Sequence, residues 1–335
     1  MRFKSGSACT LLSIAVSLCT FTTTYAQNKT CYVYHTSPYG FGSNFFGLLM
    51  AVAVYGVNNN TTIYIEEDAW AYKCRGKPSW TEFFVGRQPQ ALPGPWAGPG
   101  ESGLAEQGCT TEIDLYYENA QKRLKHLDSD HVRPLLGKTL REIWMLSDRM
   151  QKLANAQTSF TRTLRRPVLA VHVRSGDKHG EDLLAKQNPG WYNNSDWLSS
   201  LMSHMELHEL KAPGTCLILG DGLQANSAVA AVASKNLSCA VLQMGGRNGG
   251  HQQEVFAKEV SEAQRGQGQD LGCMRTEEFI LNLVAMSRAD MFVGSFNSNV
   301  GRLVHLLRTS VYLKPVFSTK DIMHRAWHQD AEHEQ

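Results

Sequence analysis

Beyond its first 26 residues the sequence has no apolar run long enough to span a bilayer, which takes about 20 strongly apolar residues, so no internal membrane span is expected. It also lacks a charge surplus. Lys and Arg number 33 against 31 Asp and Glu, and the difference is matched by Arg2 and Lys4 at the extreme N-terminus. Bulk electrostatic attraction to nucleic acid or to a membrane surface is therefore not indicated. Nor is there the biased composition of a disordered or collagen-like chain. With 42% hydrophobic and 19% charged residues over 335 positions, the chain can bury one large core or two modest ones.

The basic start at Arg2 and Lys4, the apolar and small-residue run from Ala8 to Phe21 and the Thr-rich stretch ending at Ala26 have the layout of a secretory signal peptide over residues 1–26; the alternative reading is a signal anchor. Cys9 and Cys19 fall within it. Six cysteines remain, Cys31, Cys74, Cys109, Cys216, Cys239 and Cys273, an even number that suits disulfides in an oxidising compartment. Glycosylation sequons at Asn28, Asn59, Asn60, Asn193 and Asn236 agree with it. The expected location is the ER or Golgi lumen, or the exterior, with membrane attachment only if the N-terminal segment stays as an anchor.

Periodicity predicts an α/β protein. Cys31–Tyr34 reads as a strand, Phe45–Tyr55 as a buried helix and Thr62–Ile65 as a second strand, a β-α-β pattern. Residues 86–108, dense in Pro and Gly, read as a long surface loop, and residues 112–164 as a charged helical bridge with Trp144, Leu146, Met150 and Leu153 on its apolar side. Strands at Val168–Val173, Cys216–Leu219, Cys239–Met244, Met291–Phe296 and Val311–Leu313 alternate with helices at Asp196–Leu210, Gln224–Ser234, Thr276–Arg288 and Ser298–Arg308. Such alternation implies a parallel sheet covered on both faces, with ligands at the carboxyl ends of its strands. The expected organisation is a first lobe with its helical bridge over residues 31–165, a second lobe over 166–316 and a tail over 317–335.

Two of those strand ends carry chemistry. After Val173 comes Arg174-Ser175-Gly176-Asp177-Lys178, where the planar guanidinium of Arg174 matches two phosphate oxygens and Lys178 adds a second positive charge. The segment Gly294 to Arg302 joins an apolar strand to an amphipathic helix whose first N–H groups and dipole suit a diphosphate, with Asn297 or Ser298 expected to cap it. By contrast, Asp128-Ser129-Asp130, a D-x-D pattern of the kind that holds a divalent ion, lies among Lys122, Arg123, Lys125 and Arg133 and reads as a solvated helix face. His204 and His208 have helical spacing for a metal but no third ligand nearby, and read as a polar helix face.

The segment from His172 to Lys178 resembles the H-x-R-R-x-D motif of the α-1,2-, α-1,6- and protein O-fucosyltransferases, and its extent through Lys178 is most similar to the α-1,6 branch. Phe296-Asn297-Ser298-Asn299-Val300-Gly301-Arg302 resembles that branch's strand-helix signature. Tyr39-Gly40-Phe41-Gly42, Val54-Tyr55-Gly56 and Glu66 to Tyr72 are similar to its N-terminal lobe, in the same order. The resemblance implies a GT-B-type glycosyltransferase whose second lobe is Rossmann-like, acting without metal or resident cofactor, with GDP-fucose as donor and a glycan or glycoprotein as acceptor. It places His172 and Asn282 at the guanine, Tyr72 at the nucleoside, Arg174, Ser298, Asn299 and Val300 at the diphosphate, and Asp221 near the nucleotide. Lys178 with Glu181 or Asp182 serves the acceptor hydroxyl. Ser175 stands where the motif has its second Arg, and Asn282 where the branch has a carboxylate. Transfer to a protein hydroxyl, another nucleotide sugar, or a binding protein without catalysis are the competing readings.

Overall fold

The structure is a computed structural model and describes residues 29–36, 41–56, 61–67, 74, 79–86, 89–91, 104–107, 109–124, 129–173, 196–220, 223–244, 270–294, 296 and 298–321. It is an α/β protein of two lobes, each built on a parallel sheet, the GT-B-type arrangement that the motifs imply.

In the first lobe β1 (Lys29–His35) and β2 (Thr61–Glu66) flank α1 (Phe41–Tyr55), and short β3 (Gln90–Ala91) and β4 (Cys109–Leu115) complete a sheet of order β3-β2-β1-β4. The helix begins four residues earlier than the apolar run suggested. It is buried at every position from Phe41 to Ala53 except Ser43, as befits a helix apolar on all sides. The strand β4 corrects the expectation of helix from residue 112. Thr-Thr-Glu-Ile-Asp-Leu is rich in β-branched residues, and Glu112 and Asp114 lie half-buried on one side of an edge strand. Helices α2 (Ser79–Phe83), α3 (Tyr117–Leu124), α4 (Ser129–Ile143) and α5 (Asp148–Arg162) follow, the last capped by Ser147, whose Oγ accepts from the Met150 N–H. Trp144 lies in the break between α4 and α5 and packs with Phe45, Trp80 and Phe84 beneath α1.

In the second lobe β5 (Val168–Val173), α6 (Asp196–Leu207), β6 (Thr215–Gly220), α7 (Leu223–Leu237), β7 (Ala240–Met244), α8 (Leu271–Arg288), β8 (Met291–Gly294), α9 (Asn299–Leu306) and β9 (Thr319–Asp321) give a five-stranded sheet of order β7-β6-β5-β8-β9, parallel throughout. The expected strand at Val311–Leu313 is not one: residues 307–311 continue α9 as a wider π turn, and β9, past residue 316, is the last strand. Arg308 explains the displacement. Fully buried, it donates to the carbonyls of Met286, Ser287, Ala289, Asp290 and Ser318 and to the hydroxyls of Thr319 and Ser318. One guanidinium thus closes the C-terminus of α8 and ties it to the start of β9, holding the chain helical where its β-branched residues suggested a strand. Burial lowers its pKa to about 10, with Asp290 opposing the shift, so it stays charged at neutral pH.

The six cysteines from Cys31 onward pair as Cys31–Cys109 within the first sheet, Cys216–Cys239 between β6 and the start of β7, and Cys74–Cys273, which joins the lobes across 199 positions. Three disulfides suit an oxidising, secretory-pathway setting. No helix among the described residues is long and apolar enough to cross a membrane. One hydrophobic core runs through both lobes, from Phe45, Leu48 and Leu49 of α1 through Leu136 and Leu140 of α4 to Leu283 of α8 and Leu303 of α9.

Candidate functional site

The second sheet reverses its strand order at β5. From there the chain runs outward through β6 and β7, then returns to the opposite side for β8 and β9. The helices that leave the carboxyl ends of β5 and β8 part to opposite faces, which opens a crevice there, the usual ligand position in open parallel sheets. His172, in β5, and Gly294, the last residue of β8, line this point. A Cβ on Gly294 would stand 2.6 Å from the Phe292 ring and 3.5 Å from the His172 Cβ, so only glycine fits. Arg174 is the second residue after His172 and thus follows the carboxyl end of β5 directly.

His172 is 4% exposed. Side chains alternate along a strand, and Val168 and Ala170, its partners on one face of β5, pack in the same core as Phe279, Ile280, Leu283 and Val284 of α8. Asn282 is on that helix, 4% exposed, and its amide nitrogen has no hydrogen-bond partner among the described residues. The two residues expected at the guanine base are thus both buried, one in β5 and one in α8, elements that contribute to the same core. An amide with an unsatisfied donor among Leu and Phe side chains is costly unless a ligand supplies the acceptor.

The strand-to-helix turn after β8 is braced from three directions. The Phe296 N–H donates to Asp321 Oδ1 of β9 at 3.1 Å, the buried Arg302 donates through Nε to the Phe296 carbonyl, and Arg302 Nη1 reaches Asn299 Oδ1 at 3.4 Å. Ser298 stands at the N-cap of α9 but its side chain makes no capping hydrogen bond; Asn297, the other expected cap, lies outside the described residues. No Ser298 side-chain oxygen therefore fills the positive end of α9. The first lobe meets this same end: Asn299 Nδ2 donates to Ser43 Oγ at 3.2 Å, and Gly42 lies so close that a Cβ there would stand 2.8 Å from Val300 Cγ2. The N-termini of α1 and α9, one from each lobe, thus converge.

Of the residues predicted for the site, His172, Asn282, Ser298, Asn299 and Val300 belong to β5, α8 or the start of α9. Tyr72, Arg174, Lys178, Glu181, Asp182 and Asp221 lie outside the described residues, as does Asp128 of the D-x-D pattern. Sequence reasoning assigned no role to Arg302, because an arginine three residues into an amphipathic helix reads as solvent-facing; its burial is what marks it. Among the described residues, Cys74, Asp270 and Cys273 have metal-like spacing, but the two sulfurs are joined in a disulfide and offer no thiolate. His204 and His208 pack edge to face, with His204 Nε2 2.7 Å from the Phe317 carbonyl and His208 stacked on the Phe317 ring. Both rings thus lie against the segment at Phe317.

No family model matches the sequence, and no curated protein matches it. Among solved structures the chain is similar to POFUT1 in complex with GDP, at 12% identity and a TM-score of 0.45 over 86% of this chain and 97% of that one. It is similar to the fucosyltransferase NodZ from Bradyrhizobium, at 12% identity and 0.47 over 84% and 92%. A mutant of Arabidopsis thaliana FUT1 in complex with GDP stands at 11% identity and 0.43 over 84% and 70%. These are remote likenesses, and the chemistry of the site is read from its own residues.

Proposed function

We propose that the protein is a glycosyltransferase that binds GDP-fucose at the switch point between β5 and β8 and transfers fucose, with inversion and without metal, to a hydroxyl of a glycan, as in the α-1,6-fucosyltransferase branch its motifs resemble. The observation that supports the reading is the start of α9 at the carboxyl edge of the second sheet, where Ser298 makes no side-chain cap and the N-terminus of α1 comes in from the first lobe; Arg174 follows β5 in sequence. In this reading His172 and Asn282 take the guanine, Tyr72 the nucleoside, and Arg174 with the Ser298-Asn299-Val300 backbone the diphosphate, while Asp221 borders the nucleotide. The acceptor oxygen attacks the anomeric carbon as the bond to the phosphate oxygen breaks. The electron pair leaves with GDP towards Arg174 and the helix N–H groups, and the hydroxyl proton passes to Glu181 or Asp182, with Lys178 beside it.

Calorimetric titration with GDP, ADP and UDP tests the donor. GDP is expected to bind best, Arg174→Ala to lose most of that affinity, and Arg174→Lys to recover little, because a point charge does not reproduce the bidentate fork. Wild-type GDP affinity in Arg174→Ala would overturn the site. Preference for another nucleotide would change the donor, transfer to a peptide hydroxyl would change the acceptor class, and binding of GDP-fucose without transfer to any acceptor or to water would leave a nucleotide-sugar-binding protein.

A further inference from the structure

The first sheet has a switch point of its own. Its order, β3-β2-β1-β4, reverses at β1, which sets the carboxyl ends of β2, β1 and β4 side by side, while α1 and α3, the helices that follow β1 and β4, pack against each other. The residues there are His35, which ends β1, Asp114 near the end of β4, and Tyr116 just past it; Glu66 ends the neighbouring β2. His35 Nε2 is 2.8 Å from Asp114 Oδ1, and its Nδ1 is 3.7 Å from Glu66 Oε2. With both ring nitrogens turned to carboxylates, His35 has none left to act as a base. Burial acts to lower its pKa, but the hydrogen bonds and charges of Glu66 and Asp114 outweigh it and the pKa rises above the ordinary 6.5. The imidazole is a bolt that fixes Asp114.

What this bolt presents outward is an aromatic ring and a carboxylate. Tyr116 stacks on His35 with ring centres 4.8 Å apart and planes 19° apart, yet 48% of the residue remains exposed. Its backbone is fixed by Asn119, whose Oδ1 accepts from the Tyr116 N–H while its own N–H donates to the Tyr116 carbonyl. Asp114 is one-third exposed, and its second oxygen has no partner among the described residues. The open carboxylate oxygen of Asp114 disfavours an anion such as a second phosphate. A half-open ring beside an open hydrogen-bond acceptor fits a neutral ligand with one apolar face and a rim of hydroxyls.

We propose that this switch point is a pyranose subsite, in which Tyr116 stacks on the C–H face of a sugar ring and Asp114 accepts from one of its hydroxyls. That this sugar is part of the transferase's acceptor rests on the function proposed above; the binding itself does not. The test uses the full chain and four methyl pyranosides, of N-acetylglucosamine, mannose, galactose and glucose, observed by saturation-transfer NMR with and without saturating GDP. At least one glycoside is expected to receive saturation at its ring protons and to keep it when GDP is present. Tyr116→Ala and Asp114→Asn should each weaken binding about tenfold or more, Tyr116→Phe should bind as wild type does, and all three should keep wild-type GDP affinity. Displacement of the glycoside by GDP, undiminished binding in Tyr116→Ala and Asp114→Asn, or no binding of any of the four would overturn the subsite. Glycoside binding in a protein that binds no GDP would uphold it while removing the nucleotide reading.

Discussion

The amide of Asn282 ties ligand binding to stability in a way that one substitution separates. Asn282→Leu keeps a branched side chain of four heavy atoms but replaces an unsatisfied, buried N–H donor by a methyl group in a layer formed by Phe279, Leu283 and Met286. A buried donor without a partner costs about 1–3 kcal/mol, and replacement by an apolar group of similar shape recovers much of it. The nucleotide-free variant is therefore expected to be more stable than wild type by roughly 1–2 kcal/mol, seen as a higher urea midpoint at unchanged slope. If the amide faces guanine, the same variant loses GDP. Wild type should gain stability with GDP in proportion to the logarithm of its concentration over Kd, and Asn282→Leu should gain almost none. The reasoning fails if the variant is less stable than wild type without ligand, or if GDP stabilises both proteins equally.

His305 is 4% exposed on α9, and burial, then the charges of Arg133 and Arg308, lower its pKa to about 4. A depressed histidine pKa means that the native state holds the neutral ring. Its contribution is therefore intact above the ordinary value of 6.5 and is lost as pH falls towards about 4, a window worth up to about 3 kcal/mol. Urea midpoints between these limits should fall less steeply in His305→Leu than in wild type; parallel curves would count against the burial account. For the lobe-joining disulfide, the separation of 199 residues sets a chain-entropy contribution of about 5 kcal/mol as an upper figure. The double variant Cys74→Ser/Cys273→Ser should lose a large part of that in non-reducing denaturation, and an unchanged midpoint would refute the bridge.

The second lobe was the more legible in sequence. Val168–Val173 is an unbroken apolar run between polar segments and was read to the residue, since a strand buried on both faces leaves no other pattern. Its final strand was not, because Val311 carries strand propensity while the position is decided by Arg308 and its bonds to segments either side of it in sequence. In the first lobe β4 was lost among charges. Glu112 and Asp114 look like a helix face until the strand next to them is known. Motif residues at strand ends were legible because ionisable groups after an apolar run have few structural explanations. His35, Glu66 and Asp114 escaped for the converse reason, being single residues about 30 and 50 positions apart that only the sheet brings together.

The shared core also sets an order of events during synthesis. Helix α1 is nearly all apolar, but part of its cover comes from α9, and Ser43 and Asn299, which meet at the convergence of the two helix starts, are 256 residues apart. At translation rates of 5–20 residues per second, roughly 10–50 s pass between the emergence of one and of the other. Throughout that interval the first lobe presents one side of α1 bare, and Cys74 has no Cys273 with which to pair. Until its last quarter is made, the nascent chain therefore carries that uncovered face of α1 together with the Cys74 thiol.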